Sequence, residues 1–174
     1  MLVRGYDVHA SANLYRAALG GAMLDFANLA ASLLVQANLI EASLCRKDLS
    51  GADLSQARLA GALLSDSNLG GALLTEADLT GATMLRVNLR RAVLVEANLT
   101  DAVLQAASFR EARMRGAVLS RANLRWADLR EADLRGARFD DEDVYGAQFR
   151  FATVDADTVL PDDLDPGTAG MIRE

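Results

Sequence analysis

Histidine and cysteine are almost absent from this chain: its 174 residues hold one of each, His9 and Cys45. A single cysteine excludes an intrachain disulfide framework, and no Cys/His cluster with zinc spacing remains. Proline occurs twice, at positions 161 and 166, and aromatic residues make up 5% of a chain that is 51% hydrophobic. The apolar content is therefore mostly Leu and Ala, which excludes an ordinary core built around Phe, Tyr and Trp. No apolar run approaches the roughly 18 residues of a membrane span. The opening residues, MLVRGYDVHASANLYR, lack the basic-then-apolar order of a secretory signal. A soluble, cytoplasmic protein with no membrane partner is the expectation.

What the sequence has in abundance is a period. From Ala12 the chain reads as uninterrupted five-residue units, ANLYR, AALGG, AMLDF, ANLAA, and onward to ATVDA at 152–156. Every fifth position from 14 to 154 is apolar: of 29 sites, 22 are Leu, and the rest are Met84, Met114, Phe109, Phe139, Phe149, Val144 and Val154. Two residues before each, 24 of the 29 are Ala, the exceptions being Ser32, Lys47, Ser67, Val87 and Glu142. A period of five suits neither regular element. On an α-helix it scatters the leucines around the cylinder, and in one long strand it sends alternate leucines to opposite faces. A chain that turns a corner every five residues satisfies the pattern, with the Leu and the Ala of each unit pointing inward and successive coils stacked at strand spacing. Glycine pairs such as Gly20–Gly21 and Gly70–Gly71 then fall at corners.

The intact units ADLSQ (52–56), ADLTG (77–81), ANLTD (97–101) and ADLRE (127–131) resemble the pentapeptide repeat family. The resemblance covers residues 12–156 and implies an all-β fold, a right-handed quadrilateral parallel β-helix with four units per coil. On that basis the chain holds about seven coils, a rod near 35 Å long at about 4.8 Å per coil. Both ends of such a solenoid expose unpaired strands and need covers. Residues 1–11 are read as an N-terminal cap, with Leu2, Tyr6 and Val8 as its apolar contacts, and 157–174 as a C-terminal cap or tail. Its segment TVLPDDLDPGTAGM (158–171) is similar to a closing segment of cyanobacterial members of the family. Asp165 before Pro166 has the form of a cap opening a short terminal turn or helix.

With twenty residues per coil, outward positions sort into faces. One face carries the polar ladder Asn28, Asp48, Asn68, Asn88, Ser108, Asp128 and Gln148, and beside it Arg90, Arg110, Arg130 and Arg150 in successive coils. Glu111, Glu131 and Asp128 are placed to relieve their repulsion. The column is read either as a solvated charged wall or as a docking strip for an acidic partner. Two other faces are apolar outside. One shows Leu33, Leu73 and Val93 with Val35 and Val95, and the other Met23, Leu63 and Val103 with Leu85. Trp126, Tyr145 and Phe26 stand at its corners, read either as interface aromatics or as corner packing. The candidate partner-binding residues are thus Arg90, Arg110, Arg130, Arg150, Leu73, Val93 and Trp126.

Charge is uneven: residues 1–85, 86–150 and 151–174 carry net −3, +2 and −5. The tail aspartates lack the spacing of a calcium loop and are read as a solvated terminus. Catalytic signals are absent. His9 has no nucleophile or carboxylate partner in sequence, Cys45 is read as an inert thiol, and Asp140–Asp141 as a bent corner. No enzyme activity, cofactor, metal, small-molecule substrate or direct nucleic-acid contact is expected. The favoured role is a rigid scaffold for an unknown protein partner, with the apolar tail as a candidate homodimer contact. The alternative is a DNA mimic acting on gyrase, because the resemblance includes members that protect gyrase from inhibitors. That role needs a negative rod, which the arginine column opposes.

Overall fold

A residue that must turn the chain every fifth position dominates the backbone. The computed structural model describes every residue of the chain except 25, 26, 141, 142 and 163. Each described residue in the series Ser11, Arg16, Gly21 and onward in fives to Phe151 has positive φ. Eight of these 27 are glycine; the other 19 carry side chains, among them Arg86, Asp101, Glu131 and Trp126. Each closes a turn in which the next residue's N–H bonds back three residues, as Ala17 N–H does to Leu14 O at 3.0 Å. Positive φ only at the third residue is the signature of a type II turn. For an L-residue with a side chain that conformation costs about 1–2 kcal/mol and persists only when its surroundings enforce it.

The enforcement is the stack. Parallel bridges join residues twenty apart in four columns, one per face. The first face runs Asn13–Leu33–Asp53–Leu73–Val93–Arg113–Asp133–Thr153 and the second Ala18–Asn38–Arg58–Asp78–Asn98–Val118–Arg138–Val159. The third runs Met23–Ser43–Leu63–Thr83–Val103–Asn123–Asp143 and the fourth Asp48–Asn68–Asn88–Ser108–Asp128–Gln148. The bridges are single-residue contacts rather than strands, because a turn takes up most of each five-residue unit. Val159 pairs with Arg138 twenty-one residues back, so one extra residue enters after Val154.

Backbone polar groups account for nearly every residue of the unit. The central residue's N–H bonds to the next coil, as Leu14 to Leu33 O at 2.8 Å, and so does the corner's, as Arg16 to Val35 O at 3.0 Å. The residue before the centre bonds to the previous coil, as Asn38 N–H to Ala17 O at 2.9 Å. Only the amide just after the centre lacks a backbone partner, and the Asp or Asn side chain two residues earlier supplies one. Asp78 Oδ1 accepts Thr80 N–H at 3.1 Å and the Thr80 hydroxyl at 2.6 Å, and Asn98 does the same for Thr100. The Asp/Asn of the repeat is therefore an amide acceptor before it is anything else. Inside, the Leu and Ala columns are buried without exception among the described residues from Ala12 to Leu134 that fit the pattern. Ser32 and Ser67, also buried, donate their hydroxyls to Leu29 O and Leu64 O. Phe139 and Phe149 meet edge to face at 6.2 Å near the far end.

The ends are short. Strands β1 (Leu2–Val3) and β2 (Tyr6–Asp7) form an antiparallel hairpin, and β3 (Thr153–Val154) pairs in parallel with β4 (Ile172–Arg173). Val8 is buried and the Tyr6 hydroxyl accepts Ala18 N–H at 3.1 Å, but Leu2 is 76% exposed and covers nothing. Asp165 Oδ1 accepts Thr168 N–H at 2.8 Å and opens a single turn, not a helix. Among the described residues, no helix is long and apolar enough to cross a membrane.

Two stability outcomes test this account. Gly71→Ala has open space for its Cβ yet is expected to cost about 1 kcal/mol through φ alone, whereas Ala106→Gly, at an exposed left-handed corner, should gain a similar amount. Denaturant titration of both variants checks the signs, and opposite signs would overturn the strain argument. Asp78→Ala should cost about 1 kcal/mol and Asp78→Asn much less, since the amide keeps the acceptor oxygen.

Candidate functional site: an arginine-rich edge

Twenty-residue stacking puts side chains one coil apart close enough to bond, and the outer corners use this repeatedly. Arg86 grips Asp66 with two hydrogen bonds of 2.7 and 2.8 Å, and Arg121 grips Asp101 with 2.8 and 2.7 Å. Gln36 bonds Gln56 at 2.7 Å and Gln56 bonds Glu76 at 3.0 Å. Paired forks of this kind are directional as well as favourable.

On the fourth face the predicted arginine column is present, and three of its four members have acidic partners. Arg90 and Arg91 reach Glu111 at 3.5 and 2.8 Å, Arg110 reaches Glu131 at 2.7 Å, and Arg130 folds back on Asp128 with bonds of 2.8 and 2.7 Å. Arg150 instead lies over the Phe151 ring, 4.6 Å from its centroid, with no carboxylate in ion-pair distance among the described residues. Five arginines, counting Arg91, thus face three carboxylates. Arg110 Nε is the one buried side-chain polar atom among the described residues with no hydrogen-bond partner. Around the shared corner, Arg115 and Arg135 both bear on Asp133, at 3.4 and 2.7 Å, and Arg135 also contacts Glu174 at the C-terminus. The polar ladder is bonded over three successive coils that lead up to the column, Asn68 to Asp48 at 3.1 Å and Asn88 to Asn68 at 2.7 Å.

These pairs set the titration. Hydrogen bonds from Arg86, Arg121, Arg91, Arg130 and Arg135 hold Asp66, Asp101, Glu111, Asp128 and Asp133, respectively, below the ordinary carboxylate range. The side-chain hydrogen bond from Thr158 does the same for Asp155. Carboxylates depressed in the folded state contribute stability above their unfolded pKa and lose it as pH falls through the folded value.

The apolar candidates are on separate faces from the arginines. Leu73 and Leu33 are 40% and 38% exposed on the first face, with Val93 half-buried in the same column. Trp126, 53% exposed, holds a positive-φ corner on the third face. Its ring lies against the Gly146 backbone, where any Cβ would come within 2.3 Å, and it meets Tyr145 edge to face at 5.1 Å. Arg125 sits over the Tyr145 ring at 4.8 Å and bonds Asp143 at 3.0 Å. Corner packing therefore accounts for part of the Trp126 surface, and about half stays in water. Phe26 and the Asp140–Asp141 pair fall partly or wholly outside the described residues. His9, expected to lack a carboxylate, has Asp7 Oδ2 at 3.9 Å in a small N-terminal cluster with the Met1 ammonium. Among the described residues no group of His, Cys, Asp and Glu has the geometry to hold a metal ion.

Stacked five-residue units with inward Leu and Ala define a class, and the comparisons with known proteins agree. A model of pentapeptide repeats matches in eight copies over residues 12–51, 32–71, 57–94 and 97–136, so the chain belongs to the pentapeptide repeat family. Among solved structures, it is similar to HetL, a pentapeptide repeat protein involved in heterocyst differentiation regulation in the cyanobacterium Nostoc sp. strain PCC 7120. The identity is 26% over 97% of this chain and 88% of HetL, with a TM-score of 0.57. It is also similar to a pentapeptide repeat protein of the Arabidopsis thaliana thylakoid lumen, with 24% identity over 70% of each chain and a TM-score of 0.47. A trypsin-treated form of QnrB1, a plasmid-mediated fluoroquinolone resistance protein, shares 19% identity over 90% of this chain and 89% of its own, with a TM-score of 0.33. No curated protein matches the chain.

Acid titration tests the charge network: the thermal midpoint should stay level from pH 7 to about pH 5 and fall below about pH 4. A midpoint unchanged down to about pH 2 would show that the ion pairs contribute nothing to stability.

Proposed function

We propose that the protein is a non-enzymatic cytoplasmic scaffold whose arginine-rich edge, Arg90, Arg110, Arg130 and Arg150, docks an acidic surface of another protein. In this reading the units wind a right-handed tube of about seven coils, closed by residues 1–11 and 157–174, and the tube serves as a rigid ruler for the edge. The observation that carries it is the charge surplus of that column, where five arginines face three carboxylates among the described residues and Arg150 has none in ion-pair distance. A partner's carboxylates laid along the column would complete the charge-assisted pairing that the chain's own acids leave short. Leu73, Val93 and Trp126 lie on other faces and would form secondary contacts. The family relationship to HetL, whose described role is regulatory, supports a scaffold over a catalyst.

A DNA-mimic role on gyrase finds no supporting feature on this edge, since the residues from 86 to 150 carry net +2. Capture of protein partners from the native host by the tagged chain should recover one protein in a salt-sensitive way, and Arg110→Glu with Arg130→Glu should abolish it. Capture that survives the double reversal would overturn the assignment of the edge. In a supercoiling assay the purified protein should neither inhibit gyrase nor protect it from a drug at micromolar concentration; either effect would reinstate the mimic.

A further inference from the structure

The arginine column ends in a cleft. It lies between the last stacked repeat and the C-terminal turn, has a volume of about 440 Å³, and is lined by Arg130, Gln148, Phe149, Arg150, Leu164, Asp165 and Thr168 with two alanines. A cavity of that size is at the small end of ligand sites and holds one or two residues of a peptide. Its two arginines differ. Arg130 is already bonded through both ends of its fork to Asp128, whereas among the described residues Arg150 has a ring beneath it and no carboxylate in ion-pair distance. The stem of Arg150 rests against Gly170, where an added Cβ would come within 3.5 Å of its Cγ, so the tail itself positions this arginine. Beside it, half-buried Leu164 gives the cleft its apolar surface; Phe149 also lines it but is 3% exposed and belongs to the core. Among the described residues Asp165 is the one carboxylate in the lining, and its Oδ1 is occupied by Thr168 N–H at 2.8 Å.

We propose that this cleft takes the terminal carboxylate of a partner chain on Arg150, with that chain's last apolar side chain against Leu164. A cation without a carboxylate partner next to apolar surface matches the two groups that share one carbon at a chain end. The inference rests on the reading of the arginine edge as a docking surface, and it assigns that edge an end stop. Asp165 opposes an incoming anion, which gives the site an internal control: neutralising it should strengthen binding while keeping the oxygen that caps the turn.

The test uses the ¹⁵N-labelled full chain titrated with an N-acetylated hexapeptide ending in Glu-Leu, as the free acid and as the amide. The free acid should shift amides of Gln148, Phe149, Arg150, Thr168 and Ala169 and bind about tenfold more tightly than the amide, the worth of one charge-assisted bond. Arg150→Gln, which keeps the stem, should lose about that factor, and Asp165→Asn should tighten binding by about threefold. Equal binding of acid and amide, no shifts up to about 10 mM, an unchanged Arg150→Gln, or weaker binding by Asp165→Asn would each overturn the site. Acetate binding as tightly as the peptide would also overturn it, because the apolar contact would then be idle. No native partner is needed, so failure of the cleft is read separately from failure of the edge, which the Arg110/Arg130 reversal reports.

Discussion

The left-handed corner is the constraint on which the rest depends. Turning every five residues requires positive φ at one position per unit, and this chain fills most of those positions with residues that resist it. The cost is local and recurs at every corner. What offsets it is collective: each unit's amides are bonded above, below and within the turn, and its Leu and Ala are withdrawn from water only when neighbouring coils are present. A single unit could gain neither. The strained corner therefore exists only in the stack, and the stack exists only because the corners repeat without slipping.

That mutual dependence explains the division of labour within the five positions. Two point inward and accept little beyond Leu and Ala. One is an Asp or Asn in many units, and there its side chain accepts from the amide two residues on, as at Asp53, Asp78 and Asn98. Two outward positions are left, and the chain uses them for charge. Because equivalent residues stack one coil apart, corner acids and arginines twenty residues apart come into short ion pairs at Asp66–Arg86, Arg91–Glu111 and Asp101–Arg121 without further design. Isolated exposed pairs of this kind contribute little each; their regularity shows instead that the outer surface is ordered by the coil beneath it.

The interior was legible in the sequence, because a period of five in Leu and Ala has no helical or strand solution and every described residue of the pattern from Ala12 to Leu134 is buried, with Val144 and Ala147 half-buried further along. The arginine column and its relief by Glu111, Glu131 and Asp128 were legible too, since they follow from twenty-residue stacking alone. The corners were not. Glycine marks left-handed positions in most folds, and here Arg, Glu, Asp and Trp occupy the same positions, so composition hides the strain. The ends were read only in part: Val8 packs inward, but Leu2 is exposed, because β1 and β2 pair with each other and nothing in a short apolar run says which of its members reaches the core. Trp126 allowed two readings in the sequence, an interface aromatic or corner packing, and its ring covers Gly146 while about half of it stays exposed; that neighbour is adjacent only through the twenty-residue stack. His9 gained a carboxylate neighbour for a similar reason, through a hairpin whose register the sequence does not specify.

Function on such a scaffold has to reside where the fold makes no demand. The inward columns cannot carry it, and the Asp/Asn positions are spent on backbone amides. Of the outward columns, those with alternating acid and base cancel their own charge, and the apolar ones are interrupted by polar members, as Asp53 separates Leu33 from Leu73. The column of Arg90, Arg110, Arg130 and Arg150 differs in repeating one cation over four successive coils while its acids lag one short. Backbone satisfaction does not require arginine there: the same column holds Ala30, Ser50 and Gly70 earlier in the chain and stacks equally well. A change from small to cationic residues at constant fold is a change of surface, and the last of those cations is the one that the C-terminal turn closes over.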